Sequence, residues 1–252
     1  DIQADLLEAR LEEFRQLGVA CKGYRVDVSD RQSMYAVADQ VERETGPVHI
    51  CVNNAAVGYV GAPADQVPDE DYDWVLAVNV RGVINGVRAF VPRMRLHGQG
   101  GHVVNIASVD GLLPEPALNH APYCASKAAV ILFSEALRND LTSQGIGVSV
   151  VCPGLVRSAL PDSSRLRPER FGGPYIRPGA DAFKGEMRRS GMTAAIAGRI
   201  VVEGIRDDQL YVFTHPGWRE KAREHQQAVL AAFDWASEAA RRAGLEDPAQ
   251  WR

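Results

Sequence analysis

Apolar positions along the chain switch between two spacings. Residues 5–17 set Leu6, Leu7, Leu11, Phe14 and Leu17 among charged side chains with a period near 3.6, and Gly18 stops the run, which predicts an amphipathic helix. Tyr24-Arg-Val-Asp-Val28 reads as a short strand. Ser29 then serves as N-cap to a helix over about residues 31–44, ended by Gly46-Pro47. Residues 48–52 form a buried strand that runs into Asn53-Asn54-Ala55-Ala56. After a Gly/Pro loop, the acidic cluster at residues 69–73 suits a helix N-terminus, and a long helix from Trp74 to about Leu96 carries Asn79. Gly98-Gln-Gly-Gly101 precedes a strand, which makes it a turn and not a phosphate cradle. That strand, 102–107, ends at Ser108. A helix opening near Tyr123 stops at Gly145, and a strand at 148–152 is closed by Pro153-Gly154. Residues 157–190 lose their period. A helix at 193–206, a strand at 209–213 and a helix at 218–243 complete the chain.

Strands alternating with helices of ten or more residues predict an α/β fold, a doubly wound parallel sheet with helices on both faces. No repeat or linker divides the chain, so residues 1–252 read as a single domain. In such sheets ligands bind at the carboxyl ends of the strands. Asp27, Asn53, Asn54, Ser108, Pro153 and Gly154 all fall at such ends.

Composition adds exclusions. A net charge of −4 on 252 residues argues against nucleic acid or an anionic membrane surface as partner. No apolar run approaches the length of a membrane span, and Asp1-Ile-Gln-Ala-Asp5 is no signal peptide. Cys21, Cys51, Cys124 and Cys152 lack metal-ligand or C-x-x-C spacing. They read as free thiols of a cytoplasmic protein without a bound metal.

The chemistry gathers at Tyr123-Cys-Ala-Ser-Lys127. Positions four apart share a helix face, so the phenol and the ammonium become neighbours. A nearby cation favours the phenolate, so the tyrosine pKa is expected to fall toward neutrality, as suits a general acid/base for an alcohol or ketone. Each feature also has a plainer reading. The pair could be a solvated surface pair, Asn53-Asn54 a turn former, Ser108 a strand-end cap, and Asn79 could point to solvent.

Taken in register, these positions resemble the short-chain dehydrogenase/reductase family. The matches are Asp27-Val28, Asn53-Asn54-Ala55, Asn79 in Val-Asn-Val, Ser108, Tyr123-x-x-x-Lys127 and Pro153-Gly-Leu-Val-Arg-Ser158. The spacing from Ser108 to Tyr123 is a residue or two longer than in many relatives, with Pro114-Glu-Pro116 between. The resemblance implies that Tyr123 exchanges the proton of the substrate hydroxyl while Ser108 binds the same oxygen. Asn79 would hold a water that relays protons from Lys127, and Lys127 would also bind the nicotinamide ribose. NAD or NADP, not distinguished here, would carry the hydride. Asp27 and Val28 would touch adenine. Asn54 and Ala55 would lie beside the adenosine ribose. Pro153, Gly154, Val156 and Ser158 would meet the nicotinamide. Residues 157–190 match the family's variable substrate lid, and Leu155, Leu160, Phe171, Tyr175, Ile176 and Phe183 imply an apolar or aromatic alcohol/ketone substrate. Asp73-Trp-x-x-x-Val-Asn-Val-x-Gly-Val-Ile-Asn-Gly86 and Ser164-Arg-Leu-Arg-Pro-Glu-Arg-Phe-Gly172 are similar to a bacterial subgroup that includes aryl-ether Cα-dehydrogenases. Family members pack the helices at 74–96 and 123–144 between subunits, which implies a homodimer or homotetramer.

The front of the family pattern has no match. Relatives begin with a strand, a Gly-rich turn and a helix that bind the pyrophosphate, then a second strand whose end selects NAD or NADP. Without that unit the strand ending at Val28 loses its neighbours and the strand at 48–52 is left with an open edge. An upstream segment is therefore expected in the natural polypeptide, and little turnover from these residues alone. A chain without the pyrophosphate turn also admits another reading, a non-catalytic nucleotide sensor or interaction protein.

Overall fold

The structure, a computed structural model, describes residues 1–115, 118–176 and 180–244. They fall into two units, Asp1–Thr214 and a C-terminal one beginning at His215.

The first unit is built on four parallel strands in sheet order β1-β2-β3-β4: β1 (Ile50–Asn53), β2 (Gly101–Ile106), β3 (Ile146–Cys152) and β4 (Tyr211–Phe213). Cys51 is in register with Val103, which pairs with Val148, and Val151 with Val212. The expected doubly wound α/β architecture is what forms. Along β1, β2 and β3 side chains alternate between the two faces. One face, with Cys51, Val103 and Val148, packs on Val87, Val91, Met94, Leu137 and Leu141. These come from α4 (Gly82–His97) and α5 (Ala121–Leu141). The other face, with Val104, Val151 and Val212, is covered by Ile200, Val201 and Ile205 of α7 (Ala194–Arg206). That cover ends before β1, so Ile50 and Val52 stay 52% and 50% exposed.

The two N-terminal helices, α1 (Ala4–Gln16) and α2 (Arg31–Thr45), match the periodicity. Residues 24–28 do not form the expected strand. Among the described residues no strand lies beside them, and their backbone bonds residue 1: Val26 N donates to Asp1 O at 2.9 Å and the Asp1 amino group to Tyr24 O at 3.1 Å. Asp30, not Ser29, caps α2, accepting from Gln32 N at 2.8 Å. Ser29 is drawn away because its hydroxyl donates to Asp27 at 2.6 Å.

The helix around Asn79 begins earlier than expected. Asp69, Glu70 and Asp71 form the first turn of α3 (Asp69–Leu76), as their charge suits. A π turn, Ala77–Arg81, joins α3 to α4. The continuous helical stretch Asp69–His97 is long and apolar enough to cross a membrane, contrary to the reading of the sequence. More than half of its apolar window is buried inside the protein, however, where it forms core rather than a span.

A polar chain ties this layer together. Asn53 Nδ2 donates to Asn105 Oδ1 at 2.8 Å, and Asn105 Nδ2 to Ser134 Oγ of α5 at 2.9 Å. Gly86 of α4 sits against it, since a Cβ there would stand 1.9 Å from Asn53 Oδ1.

In the C-terminal unit, α8 (Arg219–Arg242) leaves Leu230, Phe233 and Trp235 more than half exposed.

Gly86→Ala should displace the Asn53 side chain and orphan buried amides. A loss of about 2 kcal/mol is expected, read as a lower urea midpoint at unchanged slope.

Candidate active site

Three elements converge at the carboxyl end of β2. The strand delivers Ser108 two residues past its end. A single 3₁₀ turn, Val109–Gly111, then folds back on α5. The approach is close enough that a Cβ on Gly111 would lie 2.7 Å from the Lys127 carbonyl carbon. Pro122 in the first turn of α5 suits that position, because the amide it lacks has no helical acceptor there. Tyr123 and Lys127 then lie one turn apart facing this loop.

Ser108 stands beside the Tyr123 side chain, close enough to lower its pKa. Lys127 Nζ stands 5.5 Å from the centre of the Tyr123 ring and donates to Ile106 O at 2.9 Å. The lysine is 2% exposed, and among the described residues no carboxylate pairs with it. Burial lowers its pKa to about 8. Burial also raises the Tyr123 pKa, with Asp110 adding to the rise and Ser108 opposing it. The expected fall of the tyrosine pKa is therefore not seen. Desolvation of the phenolate outweighs a cation that is itself desolvated and turned toward a carbonyl.

Asn79 is buried and not solvated. Its Oδ1 accepts from Val57 N at 2.8 Å, and its Nδ2 donates to Val57 O at 2.9 Å and to Ser126 Oγ at 3.0 Å. It rivets the loop after β1 to α5. Asn54 and Ala55 are exposed at the end of β1, and Pro153, Gly154 and Val156 are half-buried after β3. Ser158 accepts from Leu160 N at 3.3 Å. Val28 lies against Gly82 of α4, and its carbonyl accepts from Asn85 Nδ2 at 2.8 Å. Asp27 is held by Ser29 and by Arg170 Nη2 at 2.8 Å. Burial alone would raise its pKa, but these partners bring it below the usual value.

The expected lid folds as two 3₁₀ segments, Leu160–Leu166 and Glu169–Phe171, and helix α6 (Ala180–Ser190). A buried ion pair, Arg167 to Asp71 at 2.8 Å, anchors it to α3, with Tyr175 Oη donating to the same carboxylate at 2.8 Å. Tyr175 is thus an anchor, and Ile176 is 76% exposed. Leu160 and Phe183, in contrast, line a small cleft together with Tyr59, Asp110, His120 and Tyr123. Pro116, in the lengthened spacing before Tyr123, lies outside the described residues.

Asp110 and His120 escaped the sequence reading. Asp110 N donates to Ser108 Oγ at 3.1 Å, and Ser108 Oγ lies 3.3 Å from Asp110 Oδ2. His120 is buried, with Nε2 3.7 Å from Asp110 Oδ1, an ion-pair distance beyond hydrogen-bond reach. Burial alone would lower its pKa, but Asp110 and Cys124 raise it to about 9. The available signal was spacing: a carboxylate two residues after Ser108 and an imidazole three before Tyr123.

Ser108, Tyr123 and Lys127 thus converge at the strand ends of a parallel sheet, and comparison with known proteins gives the family. The short chain dehydrogenase model matches residues 1–168. The chain belongs to the short-chain dehydrogenase family. It is 33% identical to a C alpha-dehydrogenase of Sphingobium over 91% of this chain and 75% of that protein. A short-chain dehydrogenase/reductase from Burkholderia phymatum, solved with NAD, superposes with a TM-score of 0.84 at 33% identity, covering 92% of this chain and 84% of that one. Apo LigD from Sphingobium gives 0.71 at 31% identity, covering 92% and 83%. Against the probable oxidoreductase EphD of Mycobacterium tuberculosis, identity is 40% over 62% of this chain, yet only 26% of that protein is spanned.

The Lys127 shift has a stability consequence. The unfolded lysine titrates near 10.5 and the folded one near 8, so between these values the unfolded chain holds a proton that the native protein has shed. Stability from this group rises with pH across that window. The urea midpoint of the wild type should climb relative to Lys127→Met from pH 8 to 10. A constant difference would show that Lys127 titrates normally.

Proposed function

We propose that this protein is an NAD(P)-dependent oxidoreductase that interconverts a secondary alcohol and a ketone with an apolar or aromatic body. Its general acid/base is Tyr123. The observation that carries this reading is the convergence of Ser108, Tyr123 and Lys127 beside a largely apolar cleft.

The residues fit one end of a nicotinamide nucleotide. Asn54 and Ala55 follow β1 and Pro153, Gly154, Val156 and Ser158 follow β3, on either side of β2, whose last carbonyl, Ile106 O, accepts from Lys127. Asp27 and Val28 lie at the adenine side in this reading. Among the described residues no Gly-rich turn between a strand and a helix offers a pyrophosphate cradle. When bound, the nucleotide supplies or accepts the hydride.

The chain's own residues handle the proton. Tyr123 Oη takes it from the substrate hydroxyl in oxidation and returns it to the ketone oxygen in reduction. Ser108 Oγ holds that same oxygen. The buried Tyr123 resists losing its proton, so the resting phenol is ready as the acid of ketone reduction. Lys127, charged below about pH 8, offsets phenolate charge when it forms. Asn79 fixes the backbone between β1 and α5 and positions the relay from Lys127. Residues 157–190 act as the substrate lid. The assembly is a homodimer or homotetramer and the location cytoplasmic.

The second reading is a non-catalytic nucleotide sensor or interaction protein on the same scaffold. Two measurements decide between them. Titration with NADH and NADPH by nicotinamide fluorescence should show binding of one form, and Tyr123→Phe should cut kcat at least a hundredfold while that binding persists. Nucleotide binding without turnover of any secondary alcohol or ketone would favour the sensor, and equal turnover by Tyr123→Phe would remove Tyr123 from its role.

A further inference from the structure

Between the chain that follows β3 and helix α6 lies a pocket of about 320 Å³, a size that small-molecule sites occupy. Its charge is one-sided. Asp162, the one acidic residue among those lining it, is already paired with Lys184. Arg157 and Arg188 line it too, and among the described residues neither guanidinium has an acidic partner. Two positive charges are thus left facing the pocket, in a chain whose formal net charge is −4. A concave surface carrying charge of one sign concentrates ions of the other. Ser158 adds an under-used donor. Its Oγ accepts from Leu160 N at 3.3 Å, and among the described residues the acceptor for its own hydrogen is the Met187 thioether at 3.6 Å, a weak one.

The two walls of the pocket are stitched together. Val156 and Met192 form a parallel bridge, in which Arg157 N donates to Met192 O and Met192 N to Leu155 O, each at 2.9 Å. The Lys184–Asp162 pair ties α6 to the 3₁₀ segment Leu160–Leu166. The stem of Arg157 runs over Gly191, where a Cβ would stand 3.2 Å from Arg157 Cγ. An anion entering here therefore orders side chains and not backbone, which keeps the cost of binding low.

We propose that Arg157, Ser158 and Arg188 form a binding site for a phosphoryl anion, a phosphate monoester or a diphosphate. A guanidinium presents a planar fork of N–H donors to oxyanions, and two forks with a hydroxyl supply more donors and more charge than one carboxylate can use. A phosphate brings three strong acceptor oxygens and close to two negative charges. Two carriers present that group: the nucleotide, whose nicotinamide end the proposed function puts beside residues 153–158, and a separate phosphorylated small molecule. The site binds and performs no chemistry, and it does not depend on the alcohol/ketone reading.

The probe is inorganic pyrophosphate, titrated by calorimetry at fixed ionic strength into wild type, Arg157→Ala, Arg188→Ala and Arg189→Ala. Arg189 is the control, adjacent on α6 but paired with Glu186 and outside the pocket lining. The wild type should bind, Arg157→Ala and Arg188→Ala should each weaken binding roughly tenfold or more, and Arg189→Ala should match the wild type. Both arginines are exposed, so their removal leaves the core intact, and ligand-free urea midpoints check this. Absence of binding by the wild type overturns the proposal. So does undiminished binding in either Arg157→Ala or Arg188→Ala, or equal weakening by all three variants, which would mark a diffuse surface charge. Titration with NADH and NADPH then names the carrier. Nucleotide binding weakened by saturating pyrophosphate assigns the pocket to the nucleotide's own phosphates. Nucleotide binding that is unaffected assigns it to a separate phosphorylated molecule. Pyrophosphate binding without binding of either nucleotide makes the same assignment, and there the nucleotide-dependent reading of Tyr123 falls while this site stands.

Discussion

A buried ammonium is the constraint on which the site depends. Lys127 carries its charge into the interior with, among the described residues, only the Ile106 carbonyl as a hydrogen-bond partner, and desolvation lowers its pKa accordingly. A lone buried cation is costly, and the lowered pKa is the form that cost takes. The 3₁₀ turn at Val109–Gly111 reaches α5 so closely that only glycine fits at residue 111. The same contact brings Ser108 to Tyr123. One packing event therefore places hydroxyl, phenol and ammonium together, and a change that loosened it would move all three.

The sheet behind the site is fixed by a second device of the same kind. Asn53, Asn105 and Ser134 link β1, β2 and α5 through buried hydrogen bonds, and Ser134 Oγ in turn donates to Val130 O at 2.6 Å. Buried amides left unpaired are expensive, so the chain selects one register of the strands. Asn79 does similar work one layer out, pinning Val57 to Ser126. Asn53, which in sequence could be only a turn former, is a side chain spent on alignment. Asn54, by contrast, is left exposed at the strand end.

Much of this was legible because helical period and strand-end position are local properties. The helices at 31–45 and 194–206, and Tyr123 and Lys127 on one face, follow from spacing alone. Residues 24–28 have strand composition, yet a strand exists only with a partner, and here the backbone pairs with residue 1 while the Arg25 side chain donates to Ile2 O. The direction of the Tyr123 shift was equally out of reach, because it depends on how completely the phenol is desolvated. Asp71 read as helix-terminus charge. Only the fold brings Arg167 and Tyr175, 96 and 104 residues away, to its carboxylate.

Charge around Tyr123 is arranged asymmetrically, and this bears on which proton state the site favours. The Ser108 hydroxyl donates to the Asp110 carboxylate at 3.3 Å and stands beside the Tyr123 side chain, whose pKa it lowers while Asp110 raises it. The same carboxylate faces His120, with Oδ1 3.7 Å from Nε2, and raises the pKa of the imidazole. One carboxylate thus favours the protonated form of both rings.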